Sequence, residues 1–157
     1  MQTNLTMRIR PATPADIVPM RALEQQADSA AHWAEREYDA LFAPEAPKRI
    51  ALVAAQPAED VAGFLIARCA YDEWEIENIV VASAFRRAGI GRALVDELLW
   101  RAQENHVTSV LLEVRESNLA ARRLYERTGF IEVGRRAAYY QNPSEDGLLL
   151  KYSVSFS

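Results

Sequence analysis

At 157 residues, 50% hydrophobic and 25% charged, the chain suits one soluble globular domain over residues 1–157, because two half-length domains would each bury a smaller share of their surface. A formal net charge of −4, from 18 Lys+Arg against 22 Asp+Glu, argues against a general nucleic-acid or anionic-membrane binder, which needs a dense basic face. With Cys69 as the one cysteine and two histidines, His32 and His106, neither a disulfide framework nor a Cys/His zinc cluster can be built, and no metal is expected. The longest apolar runs, such as Ile50 to Ala55, fall far below the roughly 20 residues that span a bilayer. A cytoplasmic location is the expectation. The charge is uneven: residues 1–78 hold 7 basic and 13 acidic side chains, residues 79–157 hold 11 and 9.

Met7 to Arg10 reads as a short strand. Thr13, Pro14 and Asp16 then supply an N-cap, an N1 proline and an acidic first turn for a helix with Ile17, Met20, Leu23 and Ala27 on one face. A second helix is expected through Trp33 to Phe42. Arg49 to Ala55 and Val61 to Ala70 are β-rich runs flanking Gln56 to Asp60, which predicts a hairpin. Trp74 to Val81 alternates at first and ends in an all-apolar Ile79-Val80-Val81, the pattern of a strand entering a core covered on both faces. Gly89 to Asn105 predicts a helix with Ile90, Leu94, Leu98 and Ala102 at spacing four; Ser109 to Val114 a strand; Asn118 to Thr128 a helix stopped by Gly129; and Leu148 to Phe156 a final strand. The expected architecture is α/β, a mixed sheet with helices on both faces.

Two segments carry chemistry. In Arg86-Arg87-Ala88-Gly89-Ile90-Gly91-Arg92, between a strand end and a helix, glycines let the backbone curl so that consecutive N–H groups and the helix dipole meet one anion. Its ordinary alternative is a tight turn with no ligand. Gly91 is followed by Arg92 and Ala93, which rules out a Walker A loop, and Leu94 stands where a dinucleotide fingerprint needs a small residue. In Leu112 to Phe130, Glu113 interrupts an apolar strand, Asn118 begins the next helix, and Tyr125 follows two turns later, so a carboxylate, an amide and a phenol are expected on one side of the sheet. Residue by residue the plainer readings stay open: a solvated strand carboxylate, a helix cap and a core aromatic.

The succession strand, R-x-x-G-x-G, helix, strand, S-N-x-x-A-x-x-L-Y-x-x-x-G-F resembles the acetyl-CoA-binding core of the Gcn-related N-acetyltransferases (GNAT), and within them the bacterial ribosomal-protein-alanine branch. The resemblance implies a central, mostly antiparallel sheet with helices on both faces. It implies that the backbone at Ile79, Val80 and Val81 pairs with the pantetheine arm as an added strand. It further assigns the pyrophosphate to Arg86, Arg87, Ala88, Gly89, Ile90, Gly91 and Arg92, and a contact with the cofactor arm to Asn118. Glu113 matches the family's general base and Tyr125 its general acid. Trp33, Glu77, Tyr139 and Tyr140 are acceptor-side candidates, with Glu77 a rival base and Glu75 a solvated neighbour. The implied partners are acetyl-CoA, as co-substrate, and a protein N-terminus, that of a small-subunit ribosomal protein. Two alternatives remain at this stage, a small-molecule amine as acceptor and a non-catalytic acyl-CoA-binding module. A covalent route would need Cys69, which reads as a buried strand thiol. The chain departs from the family pattern at His32-Trp33-Ala34, where Pro-Trp-Ser is frequent, and at Glu77 and Val80. These departures touch the acceptor side more than the cofactor side.

Overall fold

A computed structural model describes residues 7–27, 33, 35–45, 48–86, 88–141 and 143–155. Its strands are β1 (Arg8–Pro11), β2 (Arg49–Ala55), β3 (Val61–Ala70), β4 (Glu73–Val81), β5 (Ser109–Arg115), β6 (Ile131–Tyr140) and β7 (Glu145–Ser153). They form one sheet in the order β1-β2-β3-β4-β5-β7-β6. Every neighbouring pair is antiparallel except β4 and β5, which run parallel through the connection that contains α3. The helices are α1 (Ile17–Gln25), α2 (Glu35–Asp39), α3 (Ile90–Glu104) and α4 (Leu119–Thr128).

Period-two alternation explains the continuous apolar runs. In β3, Leu65 and Ala67 face a core built with Leu94, Leu98 and Ala102 of α3 and Tyr125 of α4, whereas Phe64 and Ile66 face Met20 of α1 and Tyr38 of α2. Both faces are covered, so neither register position is polar. The expected N-terminal helix begins with a single 3-10 turn, Pro14–Asp16, before α1. There Asp16 accepts a hydrogen bond from the Thr13 N–H at 2.7 Å and two from Arg10, at 2.8 and 3.0 Å, which ties β1 to the helix start.

Two expectations about elements need correction. The helix expected over Trp33 to Phe42 is only the one-turn α2 followed by a 3-10 turn, Ala40–Phe42, with Trp33 outside it. The strand expected over Leu148 to Phe156 is present as β7, beginning earlier at Glu145 and ending at Ser153, with Phe156 outside the described residues; the arm that pairs with it, β6, was not expected. β6 forms the sheet edge, nearly all of its residues are exposed, and Gly134, Arg135 and Arg136 interrupt its middle. It is held by backbone pairing to β7, with register shifts at Glu132/Gly134 and Arg136/Tyr140, rather than by a buried apolar face.

A β-bulge in β4 sets the site geometry. Asn78 pairs with Ile66 and Ile76 with Ala67, so Glu77 is the inserted residue. Before it, Trp74 and Ile76 face the α3 core; after it the phase is reversed, with Val80 facing α1 and Ile79 and Val81 packing on the α3 side.

Candidate active site

Pairing between β4 and β5 runs from Glu73 with Ser109 to Ile76 with Leu112 and stops at the bulge. Beyond it β4 continues to Val81 and β5 to Arg115, each paired only on its outer side, with β3 and β7 respectively. The two strands therefore splay. The backbone groups of Ile79 and Val81 turn toward β5 and have no sheet partner among the described residues, an arrangement that accepts an extended chain as an added strand. Val80 turns its side chain into the α1 core and its carbonyl toward Gly63 of β3, so it anchors the strand while Ile79 and Val81 present the free edge.

The turn after β4 closes one end of the opening. Gly89 caps α3 in the left-handed region at φ +81°, and a Cβ there would meet nothing within 4 Å, so backbone conformation and not space calls for glycine. At Gly91 the reason is contact: a Cβ would come to 3.2 Å from Leu124 Cδ2 on α4. Ile90 is buried and anchors the turn, while Arg86 and Ala88 are exposed beside it. Arg92 donates to Asp96 one turn on, at 3.2 Å. Arg87 lies outside the described residues, as do His32 and Ala34. The first N–H groups of α3 have no intrahelical acceptor, as at any helix start, and with the positive end of the helix dipole they suit a phosphate. Asn118 does the work of a cap, its Oδ1 accepting from the Ala121 N–H at 3.2 Å at the head of α4.

Glu113 and Tyr125 do not share a side of the sheet as the spacing suggested. Val110, Leu112 and Val114 of β5 pack in the core that holds Tyr125, so the intervening Glu113 projects from the opposite face. Tyr125 is buried edge-on against Phe130, ring centroids 5.5 Å apart, and burial pushes its phenol pKa well up. The two residues lie on opposite faces of β5.

Glu113 is only 14% exposed at its side chain; Arg136 lies 3.3 Å from Oε1, and Oε2 is buried without a hydrogen-bond partner. Tyr139 and Tyr140 converge on it from β6. A Cβ on Gly147 would meet Tyr140 at 3.2 Å, Tyr139 at 3.3 Å and Glu113 Oε2 at 3.4 Å, so the missing side chain is what lets these three groups close together. The tyrosine rings meet edge to face at 5.1 Å, with Arg136 over Tyr139 at 4.8 Å and Arg115 over Tyr140 at 4.5 Å. Burial and then the Glu113 charge push the Tyr140 phenol up to about 12.

The other carboxylates on this face differ in their ties. Glu77 is gripped by Arg49 at 2.6 and 3.4 Å, and that guanidinium lies 4.9 Å from the Trp33 ring. Glu75 has its pKa raised, first by burial, then by the charges of Glu77 and Glu113. Burial also raises the Cys69 thiol, away from the thiolate a covalent route would need. Among the described residues no cluster of His, Cys, Asp and Glu suits a metal, and no helix is long and apolar enough to cross a membrane.

The sequence model of the acetyltransferase (GNAT) family matches residues 17–130. The chain belongs to that family. The match runs from the first residue of α1 to Phe130, so this GNAT segment holds the strand opening and both flanking helix starts, whereas Arg136, Tyr139, Tyr140 and Gly147 lie beyond it. Over 84 residues the chain is 40% identical to the [ribosomal protein bS18]-alanine N-acetyltransferase of Haemophilus influenzae, covering 54% of this chain and 57% of that protein. Over 97 residues it is 37% identical to the protein of the same name from Escherichia coli K12, covering 60% and 66%. These alignments span less than two thirds of either relative. The crystal structure of the ribosomal-protein-S18-alanine N-acetyltransferase from Escherichia coli superposes with a TM-score of 0.84 at 28% identity over 96% of both chains. Arabidopsis thaliana NAA60 in complex with a bisubstrate analogue shares the fold, with a TM-score of 0.84 at 22% identity over 97% of this chain and 100% of that one.

Within this GNAT scaffold, sequence reasoning passed over a buried polar network. Glu24, 3% exposed, accepts from the Tyr38 hydroxyl at 2.7 Å, the Trp33 N–H at 3.0 Å and Asn78 Nδ2 at 2.5 Å. It ties α1, the Trp33 segment, α2 and the β4 bulge together. The available signal was its place four residues after Met20, on the buried face of α1. Arg49, Arg136 and Gly147 were likewise not singled out, because their roles depend on cross-strand neighbours distant in sequence.

Proposed function

We propose that the chain is a cytoplasmic N-acetyltransferase that uses acetyl-CoA and acts on the N-terminal α-amine of a protein, a ribosomal-protein alanine as in the relatives' names. The observation that carries this reading is the β4/β5 opening with an under-bonded carboxylate, Glu113, on one face and a buried, firmly protonated phenol, Tyr125, on the other. The free backbone edge at Ile79 and Val81, held in place by Val80 between them, suits the amide-bearing arm of acetyl-CoA, and the Gly89 turn with Arg86 and Arg92 suits its phosphates.

Acetyl-CoA supplies an activated thioester carbonyl. At pH 7 roughly a tenth of a peptide α-amine, with pKa about 7.7 to 8.0, is already neutral, against fewer than one lysine amine in about a thousand, so little is asked of the base. Glu113 takes the proton as the amide bond forms, directly or through one water. The strand N–H at Val81 donates to the carbonyl oxygen as charge develops there. Tyr125 gives its proton to the departing sulfur as the thioester breaks, and its burial keeps that proton in place at neutral pH.

The test is free-thiol release with Glu113→Gln and Glu77→Gln proteins, on Ala-starting peptides and on polyamines. The expected result is a loss of about 100-fold or more in kcat for Glu113→Gln, the scale of general-base catalysis, and a much smaller loss for Glu77→Gln. The reverse order would move the base to Glu77. Turnover confined to polyamines would replace the acceptor, and tight CoA binding without turnover would make the chain a binding module.

A further inference from the structure

The candidate acceptor site already contains a cation. The Arg136 guanidinium lies between a carboxylate and an aromatic face, 3.3 Å from Glu113 Oε1 and 4.8 Å from the Tyr139 ring centroid. Those two chemistries together recognise ammonium and guanidinium groups. Its neighbours are bound more firmly: Arg135 reaches both Glu116 and Asp146, and Arg115 reaches Glu145 and two backbone carbonyls. Arg136 makes one ion-pair contact, its side chain is 53% exposed, and it stands on the edge strand beside a register shift. Glu113, by contrast, is fixed and mostly buried, and its Oε2 has no donor. The accessible oxygen, Oε1, is held only by that one long ion-pair contact, and a compact –NH₃⁺ with three donors can approach it more closely than the guanidinium does.

We infer that Arg136 is an internal stand-in for the acceptor's ammonium group. The acceptor docks as a cation and displaces Arg136 from Glu113 and Tyr139; the ammonium proton then leaves to solvent on the exposed Arg136 side, and the carboxylate takes the second proton as the amide bond forms. This rests on the acetyltransferase reading for the identity of the acceptor, and it makes Arg136 a competitor of substrate and not a contributor to its binding. Arg136 sets acceptor affinity through the ion pair that must be broken.

The test is calorimetric binding of an Ala-starting peptide, and of the same peptide N-acetylated, to the CoA-loaded wild-type, Arg136→Ala and Arg136→Lys chains. For a half-exposed ion pair, Arg136→Ala is expected to tighten binding of the free-amine peptide about twofold to fivefold. Arg136→Lys stays near wild type, and the acetylated peptide, which lacks the cation, does not respond. Unchanged or weaker binding of the free-amine peptide to Arg136→Ala overturns the inference, as does an equal gain for the acetylated peptide, which would show a steric effect. Absence of thiol release from every amine with the wild-type chain would refute the acetyltransferase reading itself, and the two failures are read in separate assays.

Discussion

Glu77 and Glu113 are carboxylates of similar burial that differ in what holds them. Glu77 spends both oxygens on Arg49, and Glu113 keeps one oxygen without a donor beside two phenol rings. The distinction is one of bonding and not of exposure, so a strand pattern in which both read as interruptions of an apolar run does not contain it. Tyr125 was legible because its spacing from Asn118 and its flanking apolar residues place it on a helix face, but that spacing could not reveal that β5 separates it from Glu113. Tyr125→Phe should lower kcat by about 10²-fold with acceptor KM little changed, read by steady-state kinetics. Gly147→Ala places a Cβ where Tyr139, Tyr140 and Glu113 meet, each within 3.4 Å. It should lower kcat/KM for the acceptor about tenfold through displacement of the carboxylate, while acetyl-CoA affinity, measured by calorimetry, stays unchanged.

At the level of elements, one inserted residue determines the site. The bulge at Glu77 ends the pairing with β5 and reverses the phase of β4, and Glu24 with Tyr38 and Asn78 pins it to α1 and α2. Tyr38→Phe removes one donor from a buried carboxylate and should cost about 1 to 3 kcal/mol, visible as a lower denaturation midpoint with an unchanged m-value. The bounds of β2 and β3 agree with the runs Arg49 to Ala55 and Val61 to Ala70, since a strand covered on both faces announces itself by apolar residues at every position. β6 did not, because an exposed edge held by backbone hydrogen bonds needs no apolar pattern. Arg136 and the acceptor-side candidates Tyr139 and Tyr140 ride on that strand, which is why this part of the candidate site was the least legible.

Over the whole molecule, the charge tilt bears on association. If the acidic half draws in a basic peptide, peptide kcat/KM should fall as salt rises from about 0.05 to 0.5 M, while kcat holds. The tyrosines bear on alkaline stability. Burial raises the phenol pKa values of Tyr38, Tyr125 and Tyr140, so their protons are held more tightly in the folded chain. The stability they contribute is complete below the unfolded value near 10 and is lost as pH rises through the folded values, so melting temperature should be flat from about pH 8 to 9.5 and fall steeply above. The parallel joint has a mechanical consequence as well. Only four registered pairs, Glu73 to Ile76 against Ser109 to Leu112, join two antiparallel half-sheets. A molecule laid along both free edges would act as a staple across that seam and tie the two half-sheets together while it is bound. Amide exchange should then slow on CoA binding at residues on both sides, 78–81 and 113–115, and the staple itself would raise stability by about 2.7 kcal/mol at one hundred times its Kd.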